Sequence, residues 1–114
     1  NNTIHMTEYQ SIKSDVLRKI EEHLPEIQRR FGIKTLGIFG SVSREEDTPD
    51  SDVDVLYLFE ENRGGMRDLA GLKYYLEELF ERETDLISIN YVSPLIREYV
   101  IADAILRGEQ AVIA

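Results

Sequence analysis

Apolar residues at Val16, Leu17, Ile20, Leu24, Ile27 and Phe31 recur at steps of 1, 3, 4, 3 and 4. That is the stripe of an amphipathic helix. Pro25 falls inside it, removes one helical hydrogen bond and crowds the preceding turn, so the pattern predicts a kink or two short helices meeting there. Gly32 follows as the residue that ends the element. Leu36-Gly37-Ile38-Phe39 is a short apolar run, as a buried strand should be. Ser51 to Phe59 reads as a second strand, with Val53 and Val55 on one face and Asp52 and Asp54 on the other. Leu69, Leu72, Leu76, Leu79 and Phe80 mark a second amphipathic helix, and at least one of Tyr74 and Tyr75 must face away from that stripe. Glu83 to Ile89 is a third strand, with Asp85, Ile87 and Ile89 on one face and Leu86 and Ser88 on the other.

Ser93-Pro94 predicts the start of a last helix, serine at the cap and proline at its first position. Leu95, Ile96, Tyr99, Val100 and Ala104 give that helix an apolar side. Arg107-Gly108-Glu109 breaks it, and Ala111-Val112-Ile113 is read as a final edge strand. Glu60 to Gly65 is a polar connector with two glycines, the most mobile stretch on composition, and no Lys-Ser/Thr follows to complete a P-loop. The expected architecture is α/β (α+β): a small mixed sheet of three or four strands packed against helices.

Chemistry concentrates between the first two strands. Gly40 admits dihedrals closed to other residues and lets a ligand approach the backbone. Ser41 is a good N-cap, and Val42 to Asp47 could form a helical turn whose free N–H groups face the corner. Such a corner suits a phosphate. Thr48-Pro49-Asp50-Ser51 reads as a turn. Asp52 and Asp54 then project from one strand face, about 6–7 Å apart, and repel one another unless a cation lies between them. Mg²⁺ commonly takes one or two carboxylates together with substrate phosphates. A phosphate corner beside a carboxylate pair makes one site for a metal-bound nucleoside triphosphate.

Composition narrows the partners. The chain has 114 residues, 42% hydrophobic and 31% charged, which suits one domain with its own core. Asn1 to His5 is polar and patternless and reads as a tag or disordered N-terminus, leaving residues 6–114 as the domain. There is no cysteine, which excludes disulfides and thiolate metal sites. No apolar run approaches the ~20 residues of a membrane span, so a cytoplasmic location is expected. A net charge of −9 favours a basic partner or a metal-borne substrate, and no basic stripe for gripping nucleic acid is visible. His5 and His23 give little support for a histidine base or metal site.

Gly40-Ser41, ten intervening residues, then Asp52-Val53-Asp54 resembles the signature of the nucleotidyltransferase superfamily built around the polymerase-beta-type palm. Residues 15 to 113 are most similar to its minimal nucleotidyltransferase (MNT) branch, which includes antitoxins encoded beside HEPN-domain toxins. The resemblance implies Mg²⁺ held by Asp52 and Asp54, with Asp85 as a third carboxylate that binds metal or takes the acceptor's proton. It also implies ATP as donor, phosphates held by Gly40 and Ser41, and Arg44 as a further phosphate contact. The plainer reading of Arg44 is a surface residue paired among Glu45, Glu46 and Asp47; spacing alone would make Asp85 a solvated strand end more often than a ligand, and the motif upstream reverses that. Relatives often carry Ala and then Gly where this chain has Ser43 and Glu45, and Gly where Glu81 stands.

The activity implied is transfer of AMP to a tyrosine hydroxyl of a HEPN-type toxin. Two alternatives stand beside it: a catalytically silent module that neutralises its partner by contact, and a small-molecule nucleotidyltransferase completed by a separate subunit.

Overall fold

A computed structural model describes residues 8–109. Asn1 to His5 and Ala111-Val112-Ile113 lie outside the described residues. The elements run α1 (Lys13–Phe31), β1 (Ile33–Phe39), α2 (Gly40–Ser43), β2 (Val53–Phe59), α3 (Met66–Phe80), β3 (Thr84–Ser88), a 3₁₀ turn (Ile89–Tyr91), α4 (Arg97–Asp103) and β4 (Ile105–Gly108). The strands form one mixed sheet in the order β3-β2-β1-β4. β1 pairs antiparallel with β2 and β4, and β2 pairs parallel with β3. Parallel neighbours need a crossover, which α3 supplies.

Alternation divides the sheet. Val53 and Val55 of β2, with Leu36 and Ile38 of β1, are fully buried against Val16, Ile20 and Ile27 of α1 and Leu72 and Leu76 of α3. Leu56 faces the other way, into a smaller core with Ile89, Val92 and Val100. Asp54 shares the parity of Leu56, so it lies on the second face.

Four expectations change. α1 runs unbroken through Pro25 rather than splitting into two helices. Pro25 and Glu21 are both exposed, so water can satisfy the carbonyl that proline leaves without a partner. The last helix begins at Arg97, not at Ser93-Pro94. Ser93 instead closes a turn, its carbonyl accepting from Ile96 N–H at 3.1 Å and its hydroxyl from Leu95 N–H at 3.2 Å. Of the apolar side expected for that helix, Val100 is buried, but Leu95 and Tyr99 are 87% and 74% exposed. Finally, Arg107-Gly108 does not break a helix. Those residues belong to β4, where Leu36 pairs with Arg107 and Gly37 with Leu106.

Candidate functional site

The site forms where β1 ends and β2 begins. Phe39 is opposite Asp54 in the antiparallel register, so the next residue, Gly40, turns directly above the Asp54 carboxylate. Gly40 has φ +77°, and a Cβ there would come within 2.4 Å of Asp54 Oδ2. Only glycine fits both demands. The corner differs from expectation in one respect: α2 starts at Gly40, with extended Phe39 as its N-cap, and no side chain caps it. Ser41 therefore lies inside the turn rather than ahead of it. The turn is also shorter than Val42 to Asp47, because Glu45 adopts φ 60° and leaves the helical path.

The three carboxylates are brought to one region. Asp54 and Asp85 are register partners on the parallel strands β2 and β3, about 4.8 Å apart between strand axes. Asp52 precedes β2 by one residue and is exposed; Asp85 is exposed and Asp54 half-buried. Burial, then the negative charges of Asp85 and Asp52, push the Asp54 carboxyl above the ordinary carboxylate range, opposed by the Arg44 cation. Among the described residues no donor hydrogen-bonds the Asp54 carboxylate. An adjoining cleft of about 520 Å³ is lined by Asp54, Tyr57, Leu69, Lys73, Asp85 and Ile87, among others. Among the described residues, three acidic or histidine side chains do not converge tightly enough to form a ready-made metal cage.

Arg44 keeps both of its readings. Its guanidinium bonds Glu46 at 2.9 Å and Asp103 at 2.5 Å, and it still lies near enough to Asp54 to influence it. Ser43 is buried and donates to the Asp103 carbonyl at 2.8 Å. α4 is thus fastened to the corner at two points. Glu60 to Gly65 is a tied connector: Arg63 bonds both Asp68 oxygens and the Arg30 carbonyl. His23 bonds the Tyr75 hydroxyl on the opposite, helix-covered face.

Pattern reading missed two groups near the site. Asp47, seen only as one charge in a run, is buried and accepts from Tyr9, Ser11 and Ile12. Lys73 lines the carboxylate cleft, yet in sequence it is an ordinary lysine on an amphipathic helix.

A corner of strand, glycine and short helix, followed by paired acidic strands of a small mixed sheet, defines a nucleotidyltransferase. The model of the nucleotidyltransferase domain family matches residues 20–107, and the chain belongs to that family. A candidate protein adenylyltransferase of Methanocaldococcus jannaschii is 34% identical over 89 residues, which cover 78% of this chain and 95% of that one. Protein adenylyltransferase MntA of Thermococcus cleftensis is 42% identical over 65 residues, 57% of this chain and 65% of its own. Among solved structures, a minimal nucleotidyltransferase superposes with TM-score 0.66 at 38% identity, covering 80% of this chain and 92% of that one. The fold also matches the complex of a tri-AMPylated Shewanella oneidensis HEPN toxin with its MNT antitoxin. There the TM-score is 0.56 at 17% identity, over 82% of this chain and 72% of that one.

Proposed function

We propose that this nucleotidyltransferase is Mg²⁺-dependent and transfers AMP from ATP to a tyrosine hydroxyl of a HEPN-type toxin, acting as its antitoxin. The observation that carries the reading is the Asp54 carboxylate: half-buried, without a donor among the described residues, set between two further acidic residues and under a glycine that leaves it room. Negative charge that Arg44 offsets only in part fits a cation ligated by oxygen at such a point. Asp52, Asp54 and Asp85 would hold Mg²⁺, which when bound neutralises the triphosphate and assists departure of pyrophosphate. Gly40 and Ser41 would orient the terminal phosphates through backbone N–H and hydroxyl donors. Arg44 would reach them by exchanging one of its carboxylate partners for a phosphate oxygen. Asp85, exposed like Asp52, would accept the proton of the incoming hydroxyl. The acceptor oxygen bonds the α-phosphorus, the bond from that phosphorus to the pyrophosphate oxygen breaks, and pyrophosphate leaves.

A protein acceptor is supported by the exposed apolar residues Tyr91, Leu95, Ile96 and Tyr99, carried on the segment that fastens to the corner through Asp103. Incubating the chain with labelled ATP, Mg²⁺ and a HEPN toxin encoded beside it should label the toxin. Label that persists in Asp52→Asn/Asp54→Asn would remove the assignment of the site.

A second reading is neutralisation by contact alone. It is favoured by the absence, among the described residues, of a preassembled metal cage. It requires that Asp52→Asn/Asp54→Asn still neutralise the toxin and hold the complex together.

A further inference from the structure

Both exposed carboxylates of the candidate site directly follow a residue whose backbone carbonyl is held by a cationic side chain. Thr84, fully buried, precedes Asp85. Lys73 Nζ donates to the Thr84 carbonyl at 2.5 Å, and Glu77 accepts the Thr84 N–H at 3.0 Å. Lys73 and Glu77 lie one turn apart on α3 and pair with each other at 3.4 Å. One backbone residue is therefore gripped at both of its polar groups by one helix face. Ser51 precedes Asp52 in the same way. Arg82 donates to the Ser51 carbonyl at 2.9 Å and to the Thr48 carbonyl at 3.2 Å, fixing the turn that delivers Asp52.

We propose that Lys73, Glu77 and Arg82 are positioning residues that hold Asp85 and Asp52 beside Asp54 against their mutual repulsion. Three like charges at the starts of β2 and β3 repel one another, so their spacing depends on how firmly the chain beneath them is fixed. Hydrogen bonds with one charged member, stronger than neutral ones, supply that restraint. The groups act on the backbone, so neither Lys73 nor Glu77 needs to touch the metal or the nucleotide. This rests on the Mg²⁺–nucleotide reading above, because the spacing matters only if an ion must be shared.

The test compares opposite changes of charge. Calorimetric titration with Mg²⁺ and the non-hydrolysable ATP analogue AMP-PNP is run on the parent, Lys73→Met, Glu77→Leu and Arg82→Met. If the clamp positions the carboxylates, all three variants bind about tenfold more weakly, the scale of outer-shell losses at metal sites. Lys73→Arg and Glu77→Gln, which keep the donor and the acceptor, bind as the parent does. A purely electrostatic role would move Lys73→Met and Glu77→Leu in opposite directions, and that result, or parent-like binding in both, overturns the proposal. Should Glu77→Leu fail to fold, the Lys73→Met and Lys73→Arg pair decides. A parent that binds no Mg²⁺–AMP-PNP removes the functional reading instead. Amide exchange at Thr84 and Asp85 then judges the clamp: faster in both variants upholds it, unchanged in both refutes it.

Discussion

Asp47 and Asp54 stand seven positions apart, on either side of one turn, and have opposite surroundings. Asp47 is buried, yet its oxygens accept from the Tyr9 hydroxyl at 2.5 Å, the Ser11 hydroxyl at 2.5 Å and the Ile12 N–H at 3.1 Å. Burial alone would raise its pKa, but these bonds outweigh it and hold the carboxyl below the ordinary range. Asp54 receives no donor among the described residues and faces two like charges, and its pKa is raised. One carboxylate is complete within the chain and ties the start of α1 to the corner. The other has no such partner among the described residues, which is what the proposed metal-bound nucleotide would supply. Partnered charge ties elements together here, and the charge without a partner among the described residues is the one the proposed function uses.

The largest expected effect comes from exchanging Asp54 for a neutral isostere. Asp54→Asn should lower AMP transfer by about a thousandfold, since a metal ligand accounts for several kcal/mol of transition-state stabilisation. Its urea midpoint at neutral pH should not fall below the parent's, because the change also relieves repulsion. Asp47→Ala should do the reverse. It removes the acceptor of three hydrogen bonds and should cost about 2–3 kcal/mol of stability by urea unfolding, with nucleotide affinity retained in the folded fraction.

pH separates the two more finely. The native Asp54 pKa lies above its unfolded value, so its favourable contribution is present below the unfolded value and lost as pH rises through the native one. Asp47 is depressed, so its contribution is present above the unfolded value and lost as pH falls through the native one. Unfolding series on the parent and each variant should therefore diverge in opposite senses. The gap between Asp54→Asn and the parent widens towards neutral pH and closes in acid. The gap between Asp47→Ala and the parent closes as the medium turns acid.

The smallest effect concerns Glu81, which ends α3 at φ 56°, a conformation that favours glycine. Glu81→Gly relieves about 1–2 kcal/mol of left-handed strain and returns part of it as unfolded-state freedom. A net gain of about 0.5 kcal/mol is expected by thermal unfolding.

Much of this was legible in the residues. The alternation of Val53 and Val55 with Asp52 and Asp54 states which side of β2 is core, and the burial follows it. The place of Gly40 was legible because one residue type meets its backbone and space demands. Glu45 and Glu81, where the resemblance leads one to expect glycine, both adopt positive φ, so glycine at those positions would answer a backbone demand. Local pattern failed where tertiary pairing decides. Arg107-Gly108 reads as a breaker, but β1 offers an open edge and draws the segment into β4. Leu95 and Tyr99 fit a helical stripe, yet Val92 and Val100 occupy the small second core and leave them outside. Asp47 could not be told from its neighbours Glu45 and Glu46, since its partners Tyr9 and Ser11 lie 38 and 36 residues away.

Thermal unfolding with Mg²⁺ and ATP, added separately and together, tests the central claim most directly. If Asp54 and its acidic neighbours await a metal-bound nucleotide, the two together should raise the parent's melting temperature by more than the sum of either alone. Ligand at a hundred times its dissociation constant contributes about 2.7 kcal/mol of stability. Asp54→Asn, folded and no less stable without ligand, should gain little. A parent whose melting temperature ignores millimolar Mg²⁺–ATP, or an Asp54→Asn variant that responds as fully as the parent, would contradict the account.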